Sequence, residues 1–441
     1  MKEYTITQLT DNELDDISVQ TSKGNAVWSG SDGEDDEIYF YDGEETRRLS
    51  YNDAFDNIPQ ISGDNLVWQQ TETPLGLSGK SDILFYDGKT EEIDRIAEEV
   101  DGFPIPGISG NNVVWGVDLI FGEEVFLYDG EDTSELTDLG VFVPINSGSV
   151  SGDNIVWTSG LNEDFEGFGD IIFYDGEETT NITDNASDDF VNALPSVSGN
   201  NIAWSGGEVP ATGIGTTDVY FYDGEETIQL TDDDVQDAVI GISGDNVVWS
   251  SGDGFTESEL FLYDGEETIQ LTSDETDVFT GGSIAGNNVV WSESDGDDTE
   301  IFLYDGEDTV QITDNDTDDN LPNIDGDTIV WEGDDGNDTE IFLATLDEPS
   351  QSKEDSDSKA FRLLDNDTDP LTGQDKGSNS FEISKADDTS QDIADFSFAE
   401  DISLDETKKF YTSSIADNSL ADSFVDDLFI ETADLILPSE I

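Results

Sequence analysis

Two stretches of this sequence space their acids as a cation site would. Asp314, Asp316 and Asp318 alternate with polar residues in "DNDTDDN", and Asp365, Asp367 and Asp369 repeat that spacing further along. Alternate side chains of a loop can wrap one hard ion, which takes six to eight oxygens at about 2.3–2.6 Å. Neither stretch completes an EF-hand loop. Asp319 and Pro370 stand where that loop needs Gly, and Asp325 and Lys376 where it needs Glu. The competing reading is that short Asp and Asn side chains cap turns and keep a rim soluble. The metal expected is Ca²⁺, held at these six aspartates or spread diffusely over acid-rich loops.

Other chemistries fall away. The chain has no His and no Cys, which removes Ser-His-Asp and Cys-His catalysis and every nitrogen or thiolate metal site. Any metal is therefore held by oxygen. Two carboxylates about 5–10 Å apart can cleave a glycoside, but among 107 acidic residues such pairs arise by chance. The expectation is that the chain is not an enzyme, with carboxylate-based glycan cleavage as the alternative.

Those acids face only 14 basic residues, a net charge of −93. Phosphate recognition needs clustered Lys and Arg, so nucleic acid and anionic membrane are not expected partners. Self-repulsion on this scale works against a compact state unless counter-ions gather. Screening lengths of about 8 Å at 0.15 M salt and about 3 Å at 1 M point to divalent cations or abundant salt. No apolar run approaches the ~20 residues of a membrane-spanning helix, and the N-terminal "MKEYTITQLTDNELDD" lacks the apolar core of a signal peptide.

The elements that must carry these acids are repeats. Eight Trp residues, Trp28, Trp68, Trp115, Trp157, Trp204, Trp249, Trp291 and Trp331, are spaced 40, 47, 42, 47, 45, 42 and 40 residues apart. Periods of about 40–50 with several short strands mark a propeller or a related array. Each unit runs through a "GDN" or "GNN" turn, a strand such as "NVVWS", a variable polar loop, a strand such as "ELFLYD", a Gly turn and "TIQLT". The Asp-Gly step is a hairpin signal. Strands such as "EIYFYD" are apolar on both faces, as a sheet covered on both sides requires. Each Trp follows two apolar residues at one fixed place, which reads as blade packing, with a sugar-stacking platform as the rival reading.

The ends indicate closure. The eighth unit stops after "EIFLATLDEPS", and the N-terminal "YTITQLT" is in register with the missing fourth strand, Thr10 standing 18 residues before Trp28 as Thr231 stands before Trp249. An open solenoid would need polar caps instead. The fold expected is all-β: an eight-bladed β-propeller over residues 1–348 closed by the N-terminal strand, with a seven-bladed ring and a spare unit as the alternative. Residues 349–441 contain no Trp and no repeat. They read as an acidic, largely disordered tail with a short folded or docking segment near the end.

Units such as "QITDNDTDDNLPNIDGDTIVW", with Pro59, Pro195 and Pro322 at matching places, resemble TolB-like β-propeller repeats. "SGDN" stands where that family usually has Ser-Pro-Asp-Gly. The resemblance implies a binding platform, or a substrate-gating domain of the kind attached to hydrolases. A fold does not carry a function by itself.

Binding residues concentrate on loops held by a rigid scaffold. The loop after the Trp strand is purely polar where short, as in "SESDGDDTE". Where long, in units 2, 4 and 5, it carries Leu75, Leu77, Phe165, Phe168, Val209 and Ile214. These six are the expected partner surface unless they fold back onto the rim. The function expected is a non-catalytic binding, adhesion or scaffold propeller for a protein or glycan ligand. Its expected setting is extracellular or on the cell surface, rich in calcium or salt. The acidic end "FIETADLILPSEI" resembles proteins exported by an uncleaved C-terminal signal, and the cytoplasm of a halophile is the alternative.

Overall fold

The computed structural model describes residues 4–346 apart from 74–78, 103, 120–121, 138–148, 160–168, 184–189, 209–215, 253–257, 273–277, 295 and 297. Within them every regular element is a β-strand, and the strands form eight four-stranded antiparallel sheets. Blade 1 comprises strands a to d at Asp16–Ser22, Asn25–Ser31, Asp36–Tyr41 and Thr46–Arg48. The same order recurs in blades beginning at Phe55, Gly107, Ser149, Phe190, Gln236 and Val278.

Blade 8 draws strands a to c from Asp319–Asp325, Thr328–Asp334 and Thr339–Leu346, and strand d from Tyr4–Gln8. Tyr4 pairs with Leu346 and Gln8 with Phe342. The pairing extends to Leu9 N on Ile341 O at 2.7 Å and Ile341 N on Thr10 Oγ1 at 2.8 Å. The propeller is thus eight-bladed and closed by the N-terminal strand. The seam is packed, not merely hydrogen-bonded. Val19, Ala26 and Trp28 of blade 1 form one buried cluster with Val330, Ile341 and Leu343 of blade 8.

Sandwiching each sheet between two others explains the unbroken apolar strands. All eight Trp are at most 2% exposed, so they are core. Six stack on the ring opposite in strand c, with centroids 5.7–6.0 Å apart and planes within 11–16°. Leu84 and Ile172 face the Trp in blades 2 and 4. Removing one such Trp forfeits roughly 3–5 kcal/mol, the usual cost of deleting a large buried ring.

The Ser-Gly-Asp/Asn-Asn turns between strands a and b lock neighbouring blades together. Ser62 Oγ accepts from Gly110 N of the next blade at 2.8 Å, and Asn65 Nδ2 donates to Gly110 O and Asn111 Oδ1 at 2.9 and 2.7 Å. The Gly keeps φ near +60°, as at Gly110 and Gly152, which a residue with a Cβ adopts only at a cost. The pattern repeats through Asn246, which donates to Gly286 O at 2.7 Å, while Ser243 Oγ accepts from Gly286 N at 2.7 Å. It changes at the last two seams. Ala285 replaces the Ser of blade 7, and in blade 8 Asp325 replaces it, accepting from Lys23 N at 2.6 Å.

Candidate functional site

Because strands alternate in direction, the b–c and d–a connections of every blade leave from one face of the ring. The a–b and c–d turns occupy the other. The first face holds the candidate site.

Every strand c opens with an acid four residues before the Tyr of Tyr-Asp-Gly: Glu37, Asp82, Glu124, Asp170, Asp218, Glu259, Glu300 and, with Ala344 in the Tyr place, Glu340. Glu37, Glu300 and Glu340 are fully buried. Their Oε1 atoms accept from the main-chain N of Asn52, Asn315 and Asn12 at 3.0, 2.7 and 2.7 Å. Each Asn side chain donates onward to an Asp that opens the next blade: Asn52 to Asp56, Asn315 to Asp319, and Asn12 to Asp16, at 2.6–2.7 Å. Those Asp receive the indole N–H of Trp68, Trp331 and Trp28 at 2.8–3.0 Å. A chain of acid, Asn, Asp and Trp therefore runs from rim to core at these seams. The other oxygen, Oε2, of Glu37, Glu300 and Glu340 is buried with no partner.

Three acid triples bring a carboxylate oxygen of each member within 4.8 Å of the others: Asp32–Asp35–Glu37, Asp11–Asp335–Glu340 and Asp218–Asp233–Asp237. The first contains its own cation. Arg48 Nη2 donates to Glu37 at 2.5 Å and to Asp32 at 3.0 Å, and the guanidinium lies 4.7 Å over the Tyr51 ring. Main-chain amides of Glu34 and Asp35, with Arg48, hold Asp32 below the usual carboxylate range. Burial, with Asp32 and Glu37 beside it, pushes Asp35 up to about 6.

In the third triple Asp237 holds the blade-opening place that Asp16, Asp56 and Asp319 hold elsewhere, yet Trp249 does not donate to it. The bulge in that strand falls later, between Val239 and Gly241, and no positive-φ residue follows Asp237 as Ser18, Ile58 and Leu321 follow the others. Asp237 is fully buried and both its oxygens lack a partner at hydrogen-bond geometry. Burial raises its pKa. The Ser251 and Thr231 hydroxyls work in the opposite sense, and Asp233 and Asp218 add to the rise. A carboxylate buried without partners is costly unless it is protonated or meets a cation.

Of the residues singled out from sequence, Asp314, Asp316 and Asp318 lie exposed between strand d of blade 7 and strand a of blade 8, and none belongs to a described triple. Asp318 accepts from Thr299 N at 3.0 Å. The buried residues of that loop are the flanking ones, Thr313 and Asp319, and Asn315 donates its side-chain amide to Asp319. Asp365, Asp367 and Asp369 lie outside the described residues. So do Leu75, Leu77, Phe165, Phe168, Val209 and Ile214. Sequence reading passed over the strand-c acids and the "DGEDDE", "DGDDTE" and "DGNDTE" loops that begin at Asp32, Asp295 and Asp335. The strand-c acid recurs in all eight units and the "DG" stretch in three, which was the available signal.

No family model matches the chain, and no curated protein matches it. Solved structures resemble its fold. The β-propeller domain of the Trilobed protease from Pyrococcus furiosus, which has an open velcro topology, is 12% identical over 66% of this chain and 93% of that one, with a TM-score of 0.45. An acylaminoacyl peptidase is 19% identical over 73% of this chain and 59% of that one, also at 0.45. An oligogalacturonate lyase in complex with manganese is 13% identical over 78% of this chain and 93% of that one, again at 0.45. The chain thus spans about three-fifths of the acylaminoacyl peptidase. The expectation that the chain is not an enzyme is corrected here: these neighbours are a protease domain, a peptidase and a lyase.

Proposed function

We propose that the chain is a TolB-like propeller that recognises a protein or glycan ligand on its acid-rich loop face through a hard divalent cation, Ca²⁺ foremost. The setting is extracellular or on the cell surface, rich in calcium or salt. The observation that carries this reading is Asp237. Its buried oxygens have no partner at hydrogen-bond geometry, only the Ser251 and Thr231 hydroxyls nearby, and stand beside Asp218 and the exposed Asp233, so a cation there would meet protein oxygens below and ligand or water above. Exposed acids alone would not support it; a buried, unpaired one does. The family likeness and the charge of −93 agree with this setting. The test is a glycan array and a panel of extracellular proteins, probed with calcium and with EDTA at fixed ionic strength. Binding that needs calcium and is lost in Asp237→Asn is expected. Binding indifferent to both overturns the reading.

A second reading rests on Asp32 and Asp35. One carboxylate is held ionised while its neighbour keeps its proton to about pH 6, a split that suits general acid–base work. Their close approach suits retaining glycan cleavage more than inverting. Reducing-sugar release by the wild type, lost in Asp35→Asn, would favour it, and no release from any glycan in the array would discard it.

A further inference from the structure

We infer that the ring is fastened by a divalent cation at the seam where the chain's N-terminal strand joins blade 8, held by Asp11, Asp335, Asp338 and Glu340. The inference stands apart from ligand recognition and rests on comparing two blades with the same loop. Blade 1 has "DGEDDE" at Asp32–Glu37, and blade 8 has "DGNDTE" at Asp335–Glu340. Asp32, Asp35 and Glu37 correspond to Asp335, Asp338 and Glu340. In blade 1 the positive charge comes from strand d, where Arg48 bonds Glu37 and Asp32 and lies over Tyr51. Strand d of blade 8 is the N-terminal strand. Arg48 faces Tyr39 across the sheet and Gln8 faces the equivalent Phe342, so Gln8 holds the place of Arg48 and Asp11 that of Tyr51. Blade 8 thus keeps the acids, loses the guanidinium and adds a carboxylate.

Two observations show that nothing among the described residues makes up the loss. Glu340 is fully buried with Oε2 unpartnered, as Glu37 is in blade 1, but among the described residues its Oε1 accepts from Asn12 N alone at 2.7 Å, where Glu37 Oε1 takes both Asn52 N and Arg48. Both oxygens of Asp338 are buried and unpartnered. No described Lys or Arg pairs with any of the four acids. Asp11, Asp335 and Glu340 bring carboxylate oxygens within 4.8 Å of one another, with Asp338 beside Asp335 and Glu340, and carboxylates so placed without a counter-charge repel strongly. A hard cation with oxygen ligands relieves that, and carboxylates with water complete the irregular six- to eight-oxygen shell that Ca²⁺ accepts more readily than Mg²⁺. Asp11 follows the N-terminal strand, and the other three acids flank and open strand c. A bound ion therefore ties the two ends of the propeller together. Blade 7 has the same replacements, Gln311 for Arg48 and Asp314 for Tyr51.

The test uses the full chain and a double variant, Gln8→Arg with Asp11→Tyr, which writes the blade 1 arrangement into blade 8. Melting is followed with Ca²⁺, Mg²⁺ or matched NaCl, and hydrogen exchange is measured along Tyr4–Gln8. At free calcium about ten times its Kd, exchange in that strand should slow about tenfold. The slowing should exceed that in strands d of blades 2 to 6, and should be weaker with Mg²⁺. The double variant should show the slow exchange without calcium and no further slowing with it. Asp338→Asn should weaken the calcium response while leaving the fold intact. Equal calcium responses in wild type and double variant, or a wild-type response reproduced by NaCl, overturn the inference. Asp237→Asn should leave the seam response unchanged, so failure of ligand recognition and failure of the seam site are told apart.

Discussion

Trp331 donates its indole N–H to Asp319 Oδ1 at 2.8 Å, although Asp319 lies 12 residues earlier in the chain. Trp28 with Asp16 and Trp68 with Asp56 repeat the separation, and in blade 5 the acceptor is Asn192, 3.0 Å from Trp204. The Asn in blade 5 shows that the site needs an acceptor, not a charge. Asp319→Asn keeps the indole's acceptor but turns an NH2 toward the Asn315 Nδ2 donor that Asp319 Oδ2 accepts from, so it should cost about 1 kcal/mol, less than removal of both acceptors. Asp319→Ala strands the buried indole and Asn315 amide and should cost roughly 1–3 kcal/mol. Urea unfolding separates the two, and equal losses would contradict this account.

A raised pH should weaken the ring. Burial pushes Asp16 up to about 7, with Glu340 adding to the rise, and burial likewise takes Glu332 to about 7 and Asp35 to about 6. Unfolded, such groups titrate near 4. The folded state then binds more protons, so their contribution is complete below about pH 4 and is lost as pH rises through 6 and 7. The hairpin aspartates act oppositely. Asp42, Asp129 and Asp264 are held below the usual range by main-chain amides of their own turns, and their contribution is lost as pH falls below about 4. Melting in EDTA and constant high salt should peak between about pH 4 and 6. A peak at pH 8 would refute this balance.

These networks show what could be read without coordinates. Eight Trp at a 40–47-residue period, and a "TITQLT" segment in register with an internal fourth strand, specify the blades and their closure because both signals are local or periodic. The acid network is neither. "DNDTDDN" offers alternation, which suggested Asp314, Asp316 and Asp318. The backbone instead buries Thr313 and Asp319 at either end of the run, with the turn between them held by the Asn315 side chain, which accepts from Thr317 N at 2.7 Å and donates to Asp319. Which of 107 acids lose their water depends on a neighbouring blade some 40 residues away. Arg48 illustrates the difficulty: it is one of two adjacent Arg in "TRRLS", and only the fold shows that it faces Glu37 and Asp32.

Close packing at the Trp–Asp pair predicts a sharp glycine effect. A Cβ on Gly333 would stand 2.5 Å from Asp319 Oδ1 and 2.7 Å from the Phe342 ring. Gly116 sits in strand b of blade 3 with nothing within 4 Å of its Cβ position. Gly333→Ala should lose about 1–3 kcal/mol through overpacking. Gly116→Ala should be neutral or gain up to about 1 kcal/mol from the reduced freedom of the unfolded chain. Thermal melts of both variants decide it, and a neutral Gly333→Ala would mean the pair is not held as described.

The a–b turns offer a gain in stability. From Ser22 to Ser243, each Ser Oγ accepts from the Gly N of the next blade, at 2.7–3.0 Å. Ala285 interrupts the series opposite Gly326, whose φ of +60° matches the other turn glycines. The backbone is therefore already in place for the missing bond. Ala285→Ser should add it with no rearrangement, for a gain of about 0.5–1.5 kcal/mol, which in a domain of this size raises the Tm by roughly 1–5 °C. The reverse change, Ser243→Ala, should cost a similar amount at the preceding seam. If Ala285→Ser leaves the Tm unchanged while Ser243→Ala lowers it, the seventh seam is spaced differently from the sixth, and the turn ladder is not uniform around the ring.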